Sequence, residues 1–161
     1  MKQELTTDTV ERYIEARPEA LYAIVADIDR TPELSDEILS CTWLDGATEP
    51  AVGARFKARN KAGRGPSWGN KPVIVTVEPD REIAWARTEP FAGTVEWRYR
   101  FTPEGTGTRV TESYTVTKPL TIVGWFIIGG LYGLKDRRTD LRNGMNETLD
   151  RLSRIVAPSA A

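Results

Sequence analysis

Glu112 and Tyr99 are the residues of this chain best placed, by type and spacing, to do chemistry. Residues 94–102 alternate Val95, Trp97, Tyr99 and Phe101 against Thr94, Glu96, Arg98 and Arg100. Residues 109–117 return with Val110, Glu112, Tyr114 and Val116 against Arg109, Thr111, Ser113 and Thr115. A two-residue period puts each set on one face of a strand, and Gly105-Thr106-Gly107 between them is a hairpin signal. A simple antiparallel register then sets Tyr99 opposite Glu112 and Trp97 opposite Tyr114, on the apolar face. A carboxylate there must be paired, hydrogen-bonded or protonated, because an isolated buried charge is very costly. Such a group can orient a ligand's polar atom, or act as a general acid or base with a raised pKa. The plainer alternatives are a structural pair with Arg138, or a glutamate near a sheet edge that reaches water.

Composition narrows the chemistry further. The chain has no histidine and a single cysteine, Cys41. That removes Ser-His-Asp and Cys-His catalysis, histidine and cysteine-cluster metal sites, and any internal disulfide. No metal or cofactor is expected, and acid–base work would fall to carboxylates, Lys, Tyr or water. A formal charge of −1 and a pI near 5.7 argue against a nucleic-acid partner. The 161 residues suit one domain, 1–161, with an ordered core over about 9–156. Residues 1–9 hold no apolar signal core, so a cytoplasmic protein is expected. Residues 120–134 are fifteen in a row without charge, four of them glycine. That is short of the ~18–20 that span a bilayer, and reads as buried or lid-forming structure, with a membrane-surface contact as the alternative.

Residues 131–156 form the element that must position the rest. Leu134, Leu141, Met145, Leu149, Leu152, Ile155 and Val156 fall at helical spacing, with Arg138 and Thr148 filling the stripe. Gly144 marks a candidate bend, and Pro158 limits the end. Ahead of it come a strand over 9–16, a short helix opened by Pro18, and a second over 31–38. Strand patterns follow over 39–44, 54–60, 68–78, 82–88, 94–102 and 109–117, with a bulge expected near Pro72, which cannot donate to a ladder. Short turns between neighbouring strands and helices held to one face give an α+β domain. A strongly bent sheet on one long helix leaves a pocket between them.

The strand order, GARFKARN (53–60), Trp68, WRYRF (97–101) and TRVTESY (108–114) resemble the polyketide cyclase/dehydrase and lipid-transport group of the SRPBCC superfamily. The resemblance covers about residues 9–156. It implies the START-like helix-grip fold, a seven-stranded antiparallel sheet gripping a long C-terminal helix around a hydrophobic cavity. It carries no single catalytic motif onto this chain.

Inward faces assign Phe56, Val75, Trp85, Trp97, Tyr99 and Tyr114 to the cavity from the sheet. Leu134, Leu141 and Met145 face them from the helix, with Asn60, Glu112 and Arg138 as the polar groups. Trp43 and Trp68 are additions whose facing the pattern leaves open. Aromatic walls with few hydroxyls suit a hydrophobic small molecule. Asp27, Asp29, Asp36 and Glu37 read as a solvated acidic face. Arg55, Lys57, Arg59, Lys61 and Arg64 read as an exposed basic face, or a rim drawing acidic ligands or head groups. The first functional reading is a binder or carrier of a lipid, polyketide or aromatic metabolite. The alternatives are a cyclase/aromatase-like enzyme using Glu112 and pocket tyrosines, and a membrane-surface protein using 120–134. The oligomeric state is left open.

Overall fold

The computed structural model describes residues 4–89 and 93–157. Strand β1 (Thr7–Ile14) leads into helix α1 (Pro18–Ala26), a 3-10 turn (Ile28–Arg30) and the one-turn helix α2 (Thr31–Leu34). Three strands follow, β2 (Ile38–Trp43), β3 (Phe56–Asn60) and β4 (Trp68–Asn70). Four more complete the sheet, β5 (Val73–Glu78), β6 (Glu82–Glu89), β7 (Gly93–Glu104) and β8 (Gly107–Lys118). Helix α3 (Ile122–Phe126) runs into a π-helical turn (Ile127–Leu131), and α4 (Arg137–Val156) comes last.

Two antiparallel ladders make the curved wall, β1-β8-β7-β6-β5 and β2-β3-β4. They are stitched where the Phe56 amide donates to the Pro72 carbonyl at 3.1 Å and the Ile74 amide to Ala54 at 2.8 Å. Eight strands stand where the pattern predicts seven, because the stretch 68–78 divides at Pro72 into β4 and β5. Proline's missing N–H ends one ladder, and the chain re-pairs with a different partner beyond it. The β7–β8 hairpin pairs Tyr99 with Glu112 and Trp97 with Tyr114, the register that alternation predicts.

Helix α1 starts at Pro18, whose ring is tolerated where no intrahelical donor is needed, and buries Leu21, Ile24, Val25 and Ala26. Helix α4 is capped by Asp136, whose carboxylate accepts from the Thr139 amide at 3.2 Å. Its buried face is Arg137, Leu141, Met145, Thr148, Leu149 and Leu152. Asp150 to Arg12 (2.8 Å) and Arg142 to Asp8 (2.6 Å) pin it to β1, and the Thr148 hydroxyl donates to the Leu34 carbonyl at 3.0 Å. The helix is continuous through Gly144, so the candidate bend is not a break in α4.

The predicted helix over 131–156 is corrected at its start. Gly133 takes a left-handed backbone (φ 71°) and Asp136 caps, so α4 begins at Arg137 and Leu134 lies before it. The stripe therefore runs through Arg137 instead of Arg138, which is exposed and bonds the Glu4 carbonyl. The second short helix likewise ends at Leu34, and residues 35–37 lead into β2.

Candidate functional site

Between the sheet and α4 lies a cavity of about 140 Å³. Phe56 and Ala58 of β3, Trp85 of β6, Trp97 and Tyr99 of β7, and Leu141 and Met145 of α4 make its apolar walls. The aromatic groups are coupled edge to face and tilted: Trp85 stands 5.6 Å from Tyr99 and 6.0 Å from Phe56, centre to centre. Such contacts hold the rings in fixed orientations, so the wall is preformed.

Glu112 is 3% exposed and opens onto this space. Its Oε1 accepts from the Tyr99 hydroxyl at 2.7 Å, while its Oε2 has no partner. Burial pushes the carboxyl up to about 8, against the opposing pull of that hydrogen bond. Burial, with the Glu112 charge beside it, also drives the Tyr99 phenol well above its ordinary range. Well below pH 8 the pair is therefore neutral, a protonated acid accepting from a phenol. Asn60 Nδ2 and Asn70 Oδ1, on the same cavity, are likewise buried without partners. Unpartnered buried polar groups cost on the order of 1–3 kcal/mol each.

A polar partition closes one side. Arg137, 6% exposed, donates twice to Glu37, at 2.8 and 3.0 Å. Glu89 pairs with Arg87 at 2.9 Å and accepts from the Trp68 indole and the Asn70 amide, each at 2.7 Å. Burial raises the Glu89 carboxyl, but Arg87 and these donors outweigh it and hold the group below its usual value. Beyond the partition a second hollow of about 240 Å³ lies under α3 and the π turn. Trp68, Arg87, Glu89, Arg137 and Leu141 border both spaces. Leu5, Val95, Leu120, Ile127, Ile128, Tyr132 and Leu134 are among the residues that line the outer one alone. The loop before β4 seats against its roof. Arg64 donates to the Gly130 carbonyl at 2.9 Å, and a Cβ at Gly63 or Gly65 would collide with Tyr132.

Of the residues assigned from sequence, Phe56, Asn60, Trp85, Trp97, Tyr99, Glu112, Leu141 and Met145 meet around the inner cavity, and Trp68 joins them. Leu134 borders the outer hollow. Tyr114 is fully buried behind Trp97, 5.4 Å between rings, and does not reach the inner cavity. Trp43 packs on Phe56 from outside the lining. Val75 is corrected: a bulge between Ile74 and Thr76 turns it outward, 37% exposed, and Ile74 takes the inward place. The Glu112–Arg138 pair is also corrected, since Glu112 bonds Tyr99 and Arg138 lies on the outer side of α4.

The sequence carries signals for the partition that the cavity assignment above does not include. Arg87 and Glu89 share a strand face with Trp85, as Asn70 does with Trp68, so the two-residue period reaches them. Asp136 three residues before Thr139 marks a helix start, and that would have placed Arg137 on the face of Leu141 and Met145. On the expected acidic face, Glu37 is 38% exposed at its side chain and holds Arg137, and Asp36 bonds Arg151 at 2.7 Å. The basic face of Arg55, Lys57, Arg59, Lys61 and Arg64 is exposed throughout. Cys41 is a small buried residue whose thiol burial lifts to about 11.

Sheet, long C-terminal helix and the cavity between them define a helix-grip domain. The chain belongs to the polyketide cyclase/dehydrase and lipid transport family, whose model matches residues 6–156. It is 31% identical to the Polyketide_cyc-like protein Cgl2372 of Corynebacterium glutamicum, over 93% of this chain and 90% of that one, with a TM-score of 0.61. Protein CV1439 of Chromobacterium violaceum, 16% identical, covers 96% of this chain and 100% of its own at a TM-score of 0.69. The di-domain ARO/CYC StfQ of the steffimycin biosynthetic pathway, 15% identical, reaches 0.71 over 92% of this chain and 49% of that chain. At those two identities the likeness is one of fold. Among curated proteins no sequence match was found.

Proposed function

We propose that this protein binds and carries a hydrophobic small molecule, a lipid, polyketide or aromatic metabolite, between the sheet and α4. The observation that supports this is the aromatic-walled cavity of about 140 Å³, close to the ~150 Å³ in which an apolar protein cavity takes up benzene. Native mass spectrometry of the purified protein, with solvent extraction, is expected to find a bound apolar compound. Ala58→Phe, which fills the space from β3, is expected to abolish it. Retained ligand in that variant would move the binding site elsewhere.

A cyclase-like reading rests on the neutral Glu112–Tyr99 pair, which can exchange a proton with a bound carbonyl compound. It requires turnover of a polyketide-like substrate that Glu112→Gln removes while binding persists. A lipid-surface contact rests on Ile122, Val123, Phe126 and Leu131, which are 81, 52, 77 and 53% exposed over the outer hollow. Exposed Lys118 and Lys135 flank them, the pairing of apolar and basic groups that suits an anionic bilayer. In that reading the segment 120–134 is the port through which the carrier loads.

A further inference from the structure

Among the described residues, the buried side-chain polar atoms without a hydrogen-bond partner are three: Asn60 Nδ2, Asn70 Oδ1 and Glu112 Oε2. They come from three strands, β3, β4 and β8, and all three residues border the inner cavity. The three residues are 5, 8 and 3% exposed. Buried polar groups are overwhelmingly paired in folded proteins. Three orphans converging on one void mark where a bound molecule's own polar atoms belong.

Their chemistry specifies those atoms. Asn60 Nδ2 offers N–H groups, and Asn70 Oδ1 accepts. Because Glu112 Oε1 already accepts from Tyr99, the proton of the neutral carboxyl sits on Oε2, which donates. The site therefore presents donors at two points and an acceptor at the third. It presents no spare positive charge. Both cations bordering the cavity are held by carboxylates, Arg87 by Glu89 and Arg137 by Glu37, and Asp140 leaves acids in excess. A carboxylate or phosphate entering would lose its water and gain no unpaired cation.

We propose that, within the binding function above, the ligand is an uncharged apolar molecule bearing an oxygen that accepts hydrogen bonds and a hydroxyl that donates one, docked on Asn60, Asn70 and Glu112. Free fatty acids and phosphorylated lipids are excluded from the inner cavity on this assignment, although both are apolar over most of their length.

The test is calorimetric titration of the full chain with three probes of one shape: naphthalene, 2-naphthol and 2-naphthoate. It is run at about pH 6.5, below the value of about 8 for Glu112. 2-Naphthol is expected to bind about tenfold more tightly than naphthalene, the ratio given by roughly 1.4 kcal/mol, and at least as far above 2-naphthoate. Asn60→Leu is expected to shrink the advantage of naphthol over naphthalene several-fold, the ratio of the two affinities being the readout. A cooperative thermal melt and a wild-type circular dichroism spectrum show that the variant folds. Equal affinity for naphthalene and naphthol, for naphthol and naphthoate, or an unchanged preference in Asn60→Leu overturns the assignment. Binding of none of the three fails the cavity reading itself, a different result from binding without discrimination.

Discussion

The Glu112 carboxyl ionises near its ordinary 4.5 in an unfolded chain and near 8 in the folded protein. Between those values the folded state holds a proton that the unfolded chain has lost. The stabilisation is complete below 4.5 and falls away as pH rises to 8, at about 1.4 kcal/mol per pH unit. Denaturant titrations at about pH 5 and about pH 8.5 should show wild-type protein losing stability by a few kcal/mol, and Glu112→Gln losing much less. Other groups titrate in that range too, so the comparison of slopes, not the absolute change, is the readout. The partition offers a second contrast. Glu37→Gln leaves Arg137, 8% exposed at its side chain, as a buried charge without its carboxylate, and should cost roughly 3–5 kcal/mol. Arg137→Leu leaves Glu37, whose side chain is 38% exposed and reaches water, and should cost clearly less. Equal costs in thermal melts would show that the asymmetry of burial is not what matters. The Tyr99–Glu112 pair was readable in advance because a hairpin's register follows from alternation and turn length alone. The partner choice of Arg138 was not, because it depends on where the helix begins, and its cap at Asp136 lies five residues beyond the expected start.

Helix α4 and the α3–π segment carry the predictions that belong to elements. Gly144 sits mid-helix with open space where a Cβ would stand, so Gly144→Ala should raise stability by about 0.5–1 kcal/mol in chemical denaturation. On α3 two neighbouring aromatics have opposite roles. Trp125 is 6% exposed and Phe126 is 77% exposed. Trp125→Ser should therefore destabilise by about 3 kcal/mol or more, whereas Phe126→Ser should stay within about 0.5 kcal/mol. Phe126→Ser should instead weaken co-sedimentation with anionic vesicles, which isolates any surface role from folding. The sequence showed an uncharged run at 120–134 but not which residue faces where, because a five-residue helix passing into a π turn keeps no single period. Strands fared better: their alternation survives short lengths, and errors concentrated where proline or a bulge resets the phase, at Pro72 and Val75.

The two hollows meet along a wall made of Leu141, Trp68 and the Arg137–Glu37 and Arg87–Glu89 pairs. The polar half of that wall is fixed by four charges that satisfy one another, so it cannot thin without stranding one of them. Of the apolar residues that border both spaces, Trp68 is held by its bond to Glu89, and Leu141 has no such constraint. If the wall limits ligand length, wild-type affinity along a series of 4-alkylphenols should rise with chain length only until the inner cavity of about 140 Å³ is filled, then flatten. Leu141→Ala should open the inner cavity to the outer hollow of about 240 Å³ and move that plateau to longer chains. The same change should cost about 2–4 kcal/mol of stability, as a large-to-small change at a buried site does. A wild-type series that keeps gaining affinity without a plateau would mean that the spaces already act as one channel. In that case the charged pairs would line the path of the ligand, and Arg137→Leu should then change affinity for the long phenols and not for the short ones.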